Sequence, residues 1–356
     1  MTRPLARAVA FADSLGMSVP VMLAPMAGAC PVSLSVEVAK AGGMGAAGVL
    51  FMSPAEIGEW VASFRAAGGR ALQLNTWTPQ PAPRRDAAHE GRLCDFLGSW
   101  GPPVDPAAGD APPHDFDGQC EAMLAARPTA ISSIMGLFAP DYVERMKNAG
   151  VKWFATATTV REAIAARDAG ADAIIAQGAE AGGHRGAFNA ADAESALVGL
   201  FALLPAIVDA VDIPVIASGG IADPRALAAA LALGGSAAMI GTGFLRCPEA
   251  GVAPAWADAL AKAAPEDTLV TRAFSGRPGR ALATEYARAA AAQGAPTPAP
   301  YPVQRGLTAA MRAQGARSND VDRMQAWAGQ AARLAAARPA ADVVSAIWLG
   351  ARDLLA

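Results

Sequence analysis

The chain has 356 residues, 53% of them hydrophobic and 17% charged, with a formal charge of −3. That length suits one large domain, or one domain with a smaller appendage. The balanced charge argues against nucleic acid or an anionic membrane as a partner. No run approaches the ~18 apolar residues that a membrane span needs.

No charged-then-apolar leader opens the sequence. Cys30, Cys94, Cys120 and Cys247 lie far apart and match no metal-ligand spacing. They read as reduced thiols of a cytoplasmic protein, and no metal site is expected. A homodimer is an allowed assembly.

From the N-terminus a unit recurs: an Ala-rich helical stretch, a glycine break, then a short apolar strand. It reads AKAGGMGAAGV from Ala39, RAAGGRALQLN from Arg65, KNAGVKWFATA from Lys147, RDAGADAIIAQG from Arg167 and LALGGSAAMIGTG from Leu231. Glycine after the last helical turn is the usual left-handed cap. The short, uncharged strands suit a parallel sheet buried on both faces. They fall at Val21–Ala24, Gly45–Val49, Ala71–Asn75, Ala130–Ile134, Trp153–Ala157, Ala173–Ala176, Val215–Ala217 and Ala237–Ile240. Eight strands alternating with helices predict an α/β fold, a (β/α)8 TIM barrel. A doubly wound sheet is the alternative, since alternation does not prove closure.

Two stretches break the rhythm. Residues 78–118 are rich in Pro, Gly and Asp, with a helix expected near Ala87–Ser99 and a long loop otherwise. Such loops tend to be lids or floppy insertions. His89, His114 and the arginines of PRRD (83–86) read as solvated there. From about residue 265 a mostly helical insertion is expected over the barrel mouth. The division that follows is a barrel over 1–264, a smaller helical substrate domain over 265–325, and a return over 326–356 ending in the last barrel helix, about Ala340–Leu354.

Chemistry gathers at the C-terminal ends of the strands, where parallel α/β folds place their sites. The first strand ends in APMAG (24–28), a flat apolar floor. The third ends at Asn75. The sixth runs into AQGAEAGGHRG (176–186), where four glycines surround His184. Glycines so dense cost backbone entropy and suit a close approach to something flat. The seventh and eighth strands end in ASGGIAD (217–223) and GTGFL (241–245), whose unencumbered amides suit a phosphate. A sugar phosphate, pyridoxal phosphate or flavin mononucleotide would fit. No lysine stands at a C-terminal strand end, which counts against a Schiff base.

APMAG, LQLN, AQGAEAGGHRG, IASGGI, GTGF and the late WAGQ (327–330) together resemble the nitronate monooxygenase family, formerly 2-nitropropane dioxygenases, and its class I members most. The resemblance implies an FMN-binding TIM barrel that oxidises nitronates with O2. It places FMN contacts on Met26, Asn75, Gln177, Gly182, Gly183, Ser218, Gly219, Gly220, Gly241 and Thr242, and a catalytic base on His184. Ser132-Ser133-Ile134 departs from the Ser-Phe-His common in the family, so Ile134 replaces a polar group in the substrate pocket. Ser218 replaces a common alanine. Tyr301, with Arg305 four residues on, resembles the tyrosine-plus-base of the pocket entrance. Glu180 reads as a structural or orienting acid.

Three functions compete. The first is oxygen-dependent oxidation of a nitronate, or of a nitroalkane once His184 has deprotonated it. The second is an FMN- and NAD(P)H-dependent reductase of the enoyl-thioester or quinone type. The third is a flavin-binding protein without nitronate activity.

Overall fold

The protein is described by a computed structural model covering residues 4–110 and 115–356. In chain order its strands are β1 (Val21–Leu23), β2 (Gly45–Gly48), β3 (Leu72–Trp77), β4 (Ala130–Ile134), β5 (Lys152–Ala157), β6 (Ala173–Gln177), β7 (Gly183–His184), β8 (Val215–Ser218), β9 (Ala237–Ile240), β10 (Thr268–Thr271) and β11 (Gly279–Leu282). Eight of them form one parallel sheet in the order β1-β9-β8-β6-β5-β4-β3-β2. The sheet closes on itself. The Leu23 amide donates to the Met44 carbonyl at 2.9 Å, and the Met44 amide to the Val21 carbonyl at 3.1 Å. These bonds tie β1 to the residue before β2. A doubly wound sheet is thereby excluded.

The two-residue period of a strand decides which side chains face where. Val21, Leu23, Ile174, Ala176 and Ala217 pack outward in the main core between barrel and helices. Met22, Phe154, Ile175, Ile216 and Met239 pack inward. Phe11 and Ala12 join that inner cluster from the helix Pro4–Ser14, which plugs the barrel floor. This helix breaks no pattern in the repeat and went unread in the sequence. The C-terminal helix, Ala340–Leu355, buries Val343, Val344, Ile347 and Ala351. It packs on the helices Pro224–Ala232 and Val32–Lys40, closing the helical ring.

The stretch from residue 265 is not mostly helical. It opens with an antiparallel hairpin, β10 paired with β11, and only then reaches the short helices Glu285–Ala290, Val303–Leu307 and Ala309–Arg317. TLVT is rich in β-branched residues, which favour a pleated, half-buried surface. β11 also pairs with β7, setting Gly279 opposite His184 and Arg280 opposite Gly183. The histidine loop is thus a strand of a second, three-stranded sheet.

The described part of the 78–118 insertion is tied down by packing. Its helix, Ala87–Gly98, buries Leu93, Cys94 and Leu97 against Phe274, Tyr286, Val303, Leu307 and Met311. The two stretches that interrupt the barrel therefore share one apolar core. Arg85 stays exposed, as expected of a solvated loop, and also donates to the buried Glu90 at 2.6 Å. The His89 ring meets the Thr297 carbonyl at 2.7 Å, while His114 lies outside the described residues. All four cysteines are buried and unpaired. No helix among the described residues is long and apolar enough to cross a membrane.

Candidate active site

A cavity of about 410 Å³ opens at the C-terminal mouth of the barrel, within the ~300–1,000 Å³ range of small-molecule sites. It is lined by Met26, Asn75, Ile134, Gln177, Gly182, Gly183, His184, Ser218, Gly219, Gly220, Gly241 and Thr242. Every site residue read from the sequence meets there except Tyr301. That ring packs on Trp77, 5.1 Å between centroids, and it is Trp77 that lines the cavity.

Backbone groups make one wall. Gly219 and Gly220 hold φ of 108° and 71°, conformations that L side chains rarely adopt. A Cβ at Gly219 would meet the Ala181 amide nitrogen at 3.0 Å, and one at Gly241 the Met26 sulfur at 3.2 Å. Among the described residues the amides of Gly219, Gly220 and Gly241 donate to no protein acceptor. Three free donors at the ends of β8 and β9 form a cradle for an anion. Just beyond, Asp223 caps the helix Pro224–Ala232 by accepting from the Ala226 amide at 2.9 Å.

Several polar groups have part of their capacity committed. Asn75 donates both Nδ2 hydrogens to Ser132, at 3.1 and 2.8 Å, so its Oδ1 is left to accept. Gln177 accepts from the Gly186 amide at 2.8 Å and donates to the His184 carbonyl at 3.1 Å, keeping one N–H in reserve. It is thereby a clamp on the histidine loop. The Thr242 hydroxyl accepts from the Gly329 amide at 2.9 Å and can still donate. Gly182 is small for another reason: a Cβ would lie 2.5 Å from the Gly329 nitrogen. Glu180 is structural, accepting from the Leu200 amide at 2.9 Å.

His184 stands where the two walls meet. Its ring is held edge-on between Trp77 and Trp327, each 4.7 Å away by centroid. Its Nε2 lies 2.8 Å from the Ser275 hydroxyl. Burial pushes its pKa down to about 3, and the nearby charges of Arg277 and Arg305 push the same way. The imidazole is therefore neutral across the physiological range.

The other wall comes from the second sheet and the helices behind it. Arg305 and Arg312 line the cavity, and among the described residues neither forms an ion pair. Arg305 lies over the Phe51 ring, 3.8 Å to its centroid. Arg312 donates to Thr308, Gln325 and the Arg305 carbonyl. Burial lowers both guanidinium pKa values, that of Arg312 to about 10, so both stay charged. Among the described residues no carboxylate lines the cavity. Sequence reading missed Trp77, Trp256, Arg312, Gln325 and Ser275. No motif marks them, and they reach the site from scattered segments.

The nitronate monooxygenase family model matches residues 10–350. A nitronate monooxygenase of Paraburkholderia phytofirmans is 36% identical over 93% of this chain and 92% of its own. A probable nitronate monooxygenase of Staphylococcus aureus is 31% identical over 94% of each. Among solved structures, nitroalkane oxidase from Streptomyces ansochromogenes superposes with a TM-score of 0.87 at 34% identity, covering 98% of this chain and all of that one. FabK from Thermotoga maritima is further off, at a TM-score of 0.75 and 25% identity over 97% and 96% of the two chains. With a match that runs from the floor-plugging helix to the last barrel helix, the chain belongs to the nitronate monooxygenase family.

Proposed function

We propose that the cavity binds FMN and that the protein oxidises alkyl nitronates with O2 to a carbonyl compound and nitrite. Family membership makes it a flavin-dependent oxidoreductase of nitronates; the choice of FMN, the residue roles and the co-substrate are the finer reading. The observation that carries it is an acid-free cavity with unpaired amides at one end and two uncompensated arginines at the other. The residues present fit the group. The phosphate would sit on Gly219, Gly220, Gly241 and Thr242 beside Ser218. The flavin ring would lie on the shelf around Met26, with the Asn75 Oδ1 and the spare N–H of Gln177 at its polar edge. Gly182 and Gly183 let the backbone approach it.

When bound, the flavin supplies the redox chemistry. The chain's own residues do the rest. Arg305 and Arg312 attract the nitronate anion and hold it in a cavity where charge is poorly screened. Ile134, Trp77 and Trp327 keep the alkyl part dry. His184, neutral at rest, takes the carbon-bound proton of a nitroalkane; a nitronate has already lost it and needs no base.

The test is anaerobic mixing of purified protein with propionate 3-nitronate and, separately, with NADH, while the flavin spectrum is followed. Bleaching by the nitronate at a rate matching turnover is expected, with FMN rather than FAD released on denaturation. Bleaching by NADH at turnover rate, and none by the nitronate, would make the protein an NADH-dependent reductase instead.

A further inference from the structure

We propose that Ser275 is a positioning residue that fixes the tautomer of His184, holding the proton on Nε2 and leaving Nδ1 as the atom that accepts the substrate's proton. The catalytic part of this inference rests on the nitroalkane reading of the site; the tautomer does not.

The argument is one of hydrogen-bond capacity. A serine hydroxyl has one proton to give and two lone pairs to receive with. The fully buried Ser275 Oγ has three neighbours: the His184 Nε2 at 2.8 Å, the Arg277 carbonyl at 3.2 Å and the Arg277 amide at 3.3 Å. The amide can only donate and the carbonyl can only accept. Giving the hydroxyl proton to the carbonyl leaves both lone pairs for incoming donors, and all three contacts are then satisfied. In that arrangement Nε2 carries a proton. If the hydroxyl donated to Nε2, the carbonyl contact would be lost and one lone pair of the hydroxyl left empty.

Nδ1 has no protein partner among the described residues, and His184 lines the cavity. The tautomer that satisfies Ser275 is thus the one that bares an acceptor toward the substrate. Proton abstraction then moves the C–H proton onto Nδ1. It leaves a nitronate anion and an imidazolium whose Nε2–H is still bonded to Ser275.

Ser275 is in turn held. It sits in the turn between β10 and β11, the hairpin that pairs with the histidine's own strand. The Ala273 carbonyl accepts from the Tyr286 hydroxyl at 2.9 Å and from Gln304 at 2.8 Å. The Phe274 carbonyl accepts from Thr308 at 2.6 Å. At Gly276, φ is 85°, and a Cβ would run into the Ala299 carbonyl oxygen. On the other side the two indoles grip the imidazole. Neither partner is free to turn away.

The experiment labels the protein with 15N-histidine and records long-range couplings between ring nitrogens and ring protons. The chain has three histidines, so the resonance missing from His184→Asn identifies the one required. In the wild type, His184 should show a protonated Nε2 and a bare Nδ1. A protonated Nδ1 overturns the proposal outright, whatever the enzyme acts on. In Ser275→Ala the bare nitrogen should shift toward a mixture, while Ser275→Thr, which keeps a hydroxyl, should hold it. With flavin content matched, Ser275→Ala should lose about 10–100-fold in kcat on a neutral nitroalkane, short of the ~10²–10⁴-fold typical of losing a base outright. Nitronate oxidation should keep most of its rate. Equal losses on both substrates, or an unchanged tautomer in Ser275→Ala, would leave the serine a structural residue only. A protein inactive on both substrates that still shows the Nε2–H tautomer would count against the reaction and not against the role of Ser275.

Discussion

Under the proposed function the two walls of the cavity meet the same task, holding an anion, by different means. The barrel rim does it with backbone: the amides of Gly219, Gly220 and Gly241, on turns one or two residues beyond a buried strand. The appended wall does it with side chains: Arg305, seated over Phe51, and Arg312, braced by Thr308 and Gln325, both carried on short helices. A backbone cradle is rigid, uncharged and tied to one geometry. A guanidinium pair is charged and reaches further, and what it grips is set by whatever enters. The first arrangement suits a cofactor that stays, the second a substrate that comes and goes.

The largest effect that separates them should come from Gly219→Val. A β-branched residue at φ of 108° costs about 1–3 kcal/mol in strain, and its Cβ would meet the Ala181 amide nitrogen at 3.0 Å. The loop must leave the geometry that presents the amides, each worth ~1.5–3 kcal/mol to a charged acceptor. Flavin retention should fall by more than about 100-fold, measured as the flavin released per mole of purified protein. Full flavin content in this variant would show that the cradle is not where the cofactor is held.

Arg305→Ala should spare the cofactor and weaken the substrate. Losing one charge-assisted contact of ~1.5–3 kcal/mol raises KM for a nitronate about 10–100-fold. The KM for a neutral nitroalkane should move less than about 3-fold, because it carries no charge for the guanidinium to answer. Parallel increases for both substrates would mean that Arg305 shapes the cavity, through its seat over Phe51, without selecting charge.

The same contrast explains what the sequence discloses. A backbone site is spelled in consecutive residues, so ASGG and GTG can be read directly, and so can the (β/α)8 rhythm, which rests on a local period. The side-chain wall is assembled from positions such as Trp77, Ser275, Arg312 and Trp327, which no shared spacing connects. Their meeting depends on β11 pairing with β7 and on Leu93 and Leu97 packing against Phe274 and Met311. Both are long-range contacts with no local signature. For the same reason the helix near Ala87–Ser99 can be read from the sequence while the core it shares with Phe274 and Met311 cannot. Tyr301, read at the pocket entrance, packs on Trp77, the indole that β3 contributes to the lining.

The smallest effect tests the electrostatic consequence of the side-chain wall, and it lies in acid stability. A histidine whose folded pKa is about 3 and whose unfolded pKa is about 6.5 adds nothing at pH 7, where both states are neutral. As pH falls below 6.5 the unfolded chain takes up a proton that the folded protein refuses. Stability is then lost with each step down until about pH 3, where the folded state binds the proton too. Between pH 7 and pH 5 the loss from this one group is about 2 kcal/mol. His184→Asn removes the titrating group and should abolish that share, whatever it does to stability at pH 7. His89 and His114 are common to both proteins and cancel in the comparison. The measurement is the difference in urea-unfolding free energy between pH 7 and pH 5, for wild type and variant at equal flavin content. The wild type should lose about 2 kcal/mol more than the variant. An equal loss in the two would mean that His184 takes a proton as readily folded as unfolded. Burial between Trp77 and Trp327 and the charges of Arg277 and Arg305 would then not be felt at the ring, and the neutral resting base would have no electrostatic cause. The glycine wall has no titrating group and contributes nothing to this loss.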